Sequence, residues 1–70
     1  MTVRTFTAVL HQDGDLYVAE CPEVGTVSQG HTVEEAVANL KEATELYLEE
    51  FPLPESGRTL LTTFEATYAA

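Results

Sequence analysis

The stretch CPEVGTVSQGHTVEEA, Cys21 to Ala36, decides how this chain folds. Within sixteen residues it holds one thiol, two glycines, one histidine and three glutamates. It reads either as a reactive or metal-binding loop, or as a strand that passes through turns into a helix. Local chemistry favours the junction. Pro22 cannot donate a ladder hydrogen bond, so a strand ends there or lies at an edge. Gly25 and Gly30 read as turn glycines bracketing a short strand, about Gly25 to Gln29. Thr32 followed by Glu35 forms a capping box, in which each residue satisfies a backbone donor at the helix start.

Upstream, Thr2 to His11 alternates with period two. Phe6, Ala8 and Leu10 take one face, and Thr5, Thr7 and Val9 the other. Asp13-Gly14 marks a hairpin turn. Leu16 to Cys21 alternates again, with Tyr17, Ala19 and Cys21 sharing a face. Downstream, Val33, Ala36, Val37, Leu40, Thr44, Tyr47 and Phe51 recur at helical spacing, and Pro52 and Pro54 stop the helix near Phe51. After the loop LPESGR, Leu60 to Tyr68 returns to strand spacing, with Leu60, Thr62, Phe64, Ala66 and Tyr68 on one side.

The predicted fold is therefore a single α+β domain over residues 1–70, β-β-β-α-β in two layers. Two hairpins and one crossover helix give a four-stranded mixed sheet of order 3-2-1-4, with the helix across one face. Phe6, Ala8, Leu40, Tyr47 and Phe64 are expected in its core.

Composition narrows the function. Seventy residues leave a thin stability margin, and the single cysteine cannot form an internal disulfide. A homodimer or higher oligomer is expected, with the short third strand as an edge open to pairing. Twelve acids against three bases give a net charge of −9, which disfavours direct phosphate binding and suits solubility or a basic partner. The N-terminus lacks a signal-peptide core and no run is long enough to span a bilayer, so a cytoplasmic location without membrane attachment is expected.

Catalytic and metal chemistry finds little support. Cys21 lies in a strand pattern between Glu20 and Glu23, which would raise its pKa, so it reads as buried and inert. His11 with Asp13 and Asp15 could form a weak turn-region metal site, but HQDGD has no established ligand spacing. His31 reads as a loop residue. No cofactor is implied. The acids instead gather on the outer helix face. Glu35, Glu42 and Glu49 are in register, with Glu34 and Glu45 beside them and Leu46 set among them. This is either a solvated ridge or an acidic docking surface.

The run DGDLYVAECPEVGTVSQGHTVEEAVANLKEATELYLEE resembles the HicB family of antitoxins and their stand-alone relatives. The shared pattern is Asp13-Gly14, Tyr17, Ala19, Cys21-Pro22-Glu23, Gln29-Gly30, Thr32 and Glu34-Glu35-Ala36, continuing through Asn39, Leu40, Glu42 and Ala43. The resemblance implies a three-strand, helix, strand domain likened to a reduced ribonuclease H core. Ribonuclease H chemistry needs a carboxylate on the first strand, and TVRTFTAVLH has none, so only the shape carries over. His31 stands where the family commonly has Asp. The chain ends after the fourth strand, without the DNA-binding segment of full HicB antitoxins, so no direct nucleic-acid binding is expected. The resemblance implies a non-enzymatic antitoxin that masks a small basic HicA-type RNA-cleaving toxin. A solo homo-oligomeric regulatory or ligand-binding domain is the alternative, and a metal-dependent remnant nuclease a third.

Overall fold

The computed structural model describes residues 3–55 and 57–69; the expected strand start at Thr2 lies outside them. Among the described residues, three strands precede one helix: β1 (Val9–Asp13), β2 (Leu16–Cys21), β3 (Thr26–Gly30) and α1 (Val33–Glu50). The strands form one antiparallel sheet in the order β1-β2-β3. The α+β class and the two layers match the expectation.

The β1–β2 hairpin closes where Asp13 pairs with Leu16, leaving Gly14-Asp15 as a two-residue loop. Gly14 has φ +61 and Asp15 does not share the positive sign, the pattern of a type II′ turn. After Cys21 the chain turns tightly. The Gly25 N–H donates to the Cys21 carbonyl at 2.7 Å, and Gly25 adopts φ +95.

The first strand is shorter than predicted. Val9 pairs with Glu20, so Thr7 would face Pro22, which has no N–H to offer. The β2 ladder stops there, and residues 3–8 belong to no strand. The third strand is shifted by one residue and ends on Gly30, which lacks positive φ. A Cβ built there would lie 2.6 Å from the Ala36 backbone nitrogen. Gly30 is therefore required for close approach of strand to helix, not for a turn.

The helix begins as predicted. Thr32 is the N-cap, with its side chain accepting from the Glu35 N–H at 3.0 Å. The reciprocal half of the box is displaced by one residue, since the Glu35 carboxylate accepts from the His31 N–H at 3.1 Å. α1 rests on β3 and, more lightly, on β2. Thr44 and Thr26 share a 2.7 Å hydroxyl hydrogen bond, and the Asn39 amide donates to the Gln29 carbonyl at 2.8 Å. Ala19, Cys21, Ala36 and Leu40 are fully buried, with Phe6, Ala8, Leu10 and Tyr17 packed around them. These are the strand faces read from the alternation.

Two expectations fail. The buried helix stripe is narrower than the apolar spacing, covering Ala36, Leu40 and Thr44, while Val33, Val37 and Phe51 stay partly exposed. One helix lying over β3 cannot also cover the β1 side of the sheet. More consequentially, residues 60–68 form no fourth strand, and Phe64 is 88% exposed instead of core. The helix C-cap, Phe51, is extended at φ −123, ψ 143, and Pro52 and Pro54 favour that geometry. The chain therefore leaves the body instead of turning back beside β1. Of the expected order 3-2-1-4, the 3-2-1 part is present, and the ribonuclease-H-like completion by a fourth strand is absent among the described residues. Tyr47, expected in the core, is half-buried and stacked on Phe51 at 4.8 Å between ring centroids.

Candidate functional site

The β2–β3 turn holds its residues in a local network. Cys21 is 1% exposed, and its Sγ–H donates to Glu23 Oε1 at 3.5 Å. Burial is the main influence pushing the thiol pKa up; a backbone hydrogen bond from Val24 opposes it, and Glu23 adds to the rise. The thiolate is the reactive form, so this cysteine is poorly suited to nucleophilic work.

Glu23 has a role the sequence did not disclose. Its carboxylate accepts from the Thr7 N–H at 3.0 Å and from the Thr7 hydroxyl at 2.5 Å. It thus replaces the ladder partner that Pro22 cannot supply, and fixes residues 3–8 against the sheet. The Thr7 hydroxyl is the largest of the influences holding the Glu23 carboxyl at about 2, down from an ordinary 4.5. A depressed carboxyl contributes stability above its unfolded value and loses it as pH falls through its folded value. Its contribution to stability is therefore full above pH 4.5 and lost progressively between about pH 4.5 and 2. The Thr7 amide chemical shift should titrate with the folded carboxyl, its midpoint near pH 2, and Glu23→Gln should abolish the step. A Thr7 shift indifferent to pH in the unsubstituted chain would contradict this role.

The imidazoles do not join a cluster. His11 and Asp13 are exposed on β1, and Asp15 lies in the hairpin loop. Among the described residues, no three His, Cys, Asp or Glu side chains group so as to hold a metal ion. His31 Nδ1 lies 3.4 Å from Glu35 Oε1.

On the outer helix face the structure separates residues that the sequence groups together. Glu35 belongs to the cap, and its pKa is lowered by the His31 N–H first and the His31 ring second. Glu45 lies 3.8 Å from Lys41, an exposed i,i+4 pair worth a few tenths of a kcal/mol. Glu42 and Glu49 are exposed and make no hydrogen bond or ion pair among the described residues. Leu46 is 56% exposed between them. At 100° per residue, Glu45, Glu49, Glu42 and Leu46 lie along one arc opposite Leu40.

A second feature adjoins this arc and shares Glu45 and Glu49 with it. A groove of about 720 Å³ runs between the helix and residues 3–8, walled by Phe6, Ala8, Val37 and Leu48, with Cys21 and Leu40 at its base. It opens beside the segment that precedes β1, and no residue of β1 itself lines it. No sequence pattern marks it, because it arises from where the helix lies. No helix among the described residues is long and apolar enough to cross a membrane.

No protein-family model and no solved structure matches this chain. Two curated proteins are similar to it. A UPF0150 protein of Helicobacter pylori (strain J99) is 47% identical over 49 residues, covering 69% of this chain and 68% of that one. A UPF0150 protein of Synechocystis sp. is 36% identical over 59 residues, covering 81% and 86% respectively. With most of both chains aligned at these identities, the protein belongs to the UPF0150 family.

Proposed function

We propose that this protein is a non-enzymatic binding domain of HicB type, an antitoxin that neutralises a small basic RNA-cleaving partner. The observation that carries this reading is the exposed arc of Glu42, Glu45, Leu46 and Glu49 on one rigid helix. From Thr32 to Phe51 the chain has six glutamates and one lysine, a net −5. This charge does little for the helix itself. Glu49 and Glu50 occupy the last turn, where acids oppose the macrodipole, and no basic residue offsets them there. An acidic face with a central leucine complements a basic surface built for RNA phosphates and would compete with RNA for it. The HicB-like motif run, from the hairpin turn through the helix, supports the same reading.

The test uses a basic RNA-cleaving protein that co-purifies from the native cell. The unsubstituted chain should suppress its cleavage of RNA. Glu42→Lys combined with Glu49→Lys should weaken binding at least about tenfold, most strongly at low salt. Glu35 is left intact because reversing it would disturb the cap. Unchanged affinity in the double variant would remove the acidic arc as the docking face.

A further inference from the structure

Two features that the acidic face leaves unexplained fit each other. The groove beside residues 3–8 is open and mostly apolar, with Arg4, Lys41, Glu45 and Glu49 also in its lining. The C-terminal arm is apolar with period two, and its Leu60, Phe64 and Tyr68 are 75, 88 and 81% exposed. We propose that the arm of one copy lies as a fourth strand along residues 3–8 of a second copy, inserting Leu60, Phe64 and Tyr68 into that copy's groove, with the exchange made reciprocally.

The exit from the helix favours exchange over closure onto the same chain. Phe51 is extended, and Pro52 and Pro54 stiffen the segment leading to the arm. Nine residues from Phe51 to Thr59, fully extended, reach on the order of 30 Å, enough to cross to a neighbour. The radius of gyration is 14.2 Å, against about 11 Å for a compact chain of this length. The receiving edge is ready, since residues 3–8 pair with no strand and Glu23 already holds them in place at Thr7.

Charge is compatible with the alignment, since Glu45 and Glu49 offset Arg4 and Lys41 in the lining. An arm parallel to β1 enters at the end of the groove where Arg4, Glu45 and Glu49 line it. Arg58 shares the face of Leu60 and precedes it by two residues, so it arrives beside Glu45 and Glu49. The area is sufficient as well. Each buried aromatic contributes on the order of 150–250 Å². With the leucines, both arms and the groove surface they cover, the contact reaches the roughly 1,200–2,000 Å² of a stable interface. Dimerisation through the β3 edge, expected from the sequence, would leave both the arm and the groove open, whereas this exchange closes both.

Light scattering on the full chain should give twice its 7.7 kDa mass at micromolar concentration. In a mixture of isotope-labelled and unlabelled chains, filtered NOEs should join the Phe64 ring of one copy to the Leu48 and Val37 methyls of the other. Phe64→Glu should weaken the dimer at least about 30-fold. Val37→Glu, altering the groove instead of the arm, should do the same, and mixing the two variants should restore a heterodimer through the one intact arm–groove pair. A stable monomer, NOEs confined to one copy, or a dimer indifferent to Phe64→Glu would each overturn the proposal. The NOE measurement uses the unsubstituted chain, so it decides even where a variant fails to fold.

Discussion

Leu40→Ala should leave this chain largely unfolded at room temperature. Leu40 is 4% exposed, and the other fully buried apolar residues, Ala19, Cys21 and Ala36, are all small. It is therefore the one large aliphatic side chain wholly inside the core of the described residues. Truncating a buried leucine to alanine costs about 2–5 kcal/mol, counting both lost transfer energy and the cavity left behind. A single core in a chain of this length rarely supplies more than about 3–5 kcal/mol. The two magnitudes are comparable, so one substitution removes most of the margin. Helical circular dichroism should fall, and the urea transition should shift toward zero denaturant. Leu40→Met keeps the volume and should cost less than about 1.5 kcal/mol. A Leu40→Ala chain with an unchanged urea midpoint would show that the helix–sheet contact is not where stability resides.

Gly30→Ala should be nearly as damaging, though it adds only a methyl group. That methyl would lie 2.6 Å from the Ala36 nitrogen and 2.9 Å from the Glu35 carbonyl carbon. Both are backbone atoms in the first turn of α1, so no side-chain rotation relieves the overlap. The helix must move off β3, carrying with it the Thr32 cap and the Asn39 hydrogen bond to Gln29. Overpacking of this kind costs about 1–3 kcal/mol. By contrast, a methyl group added at Gly57 would meet nothing within 4 Å, so Gly57→Ala serves as the control. Equal urea midpoints for Gly30→Ala and Gly57→Ala would contradict this account of Gly30.

Much of the fold is legible in local chemistry. The Thr32–Glu35 spacing announces the helix start, and Pro52 marks its end to within a residue. Asp13-Gly14 locates the hairpin, and period-two alternation assigns Phe6, Ala8, Leu10, Tyr17 and Ala19 to the inner face. These readings succeed because caps, turns and strand parity depend on residues only a few positions apart. Gly30 is legible as special but not in its reason, because a clash with Ala36 exists only once strand and helix are packed.

The candidate site divides in the same way. Glu42, Glu45, Leu46 and Glu49 share a face by helical geometry alone, so their grouping needs no tertiary information. Glu35 has helical spacing to match, yet its carboxylate is engaged by His31. Glu23 is invisible in the sequence as an anchor, since its partner Thr7 lies sixteen residues away and becomes a neighbour only through the hairpin.

The last strand shows where pattern stops being sufficient. Leu60 to Tyr68 alternates as a strand should, and that alternation states which side chains seek burial. It does not state against which surface. A helix can be completed by its own hydrogen bonds, but a strand needs an edge supplied by distant residues. Pro22 cuts the β2 ladder short, and Pro52 and Pro54 send the arm away from the body. The first three strands, the helix that follows them and the inner faces of β1 and β2 thus follow from the amino-acid sequence. The position of α1 over β3, the groove it leaves beside residues 3–8 and the unpaired arm were decided by tertiary packing, because these depend on contacts between residues far apart in the chain.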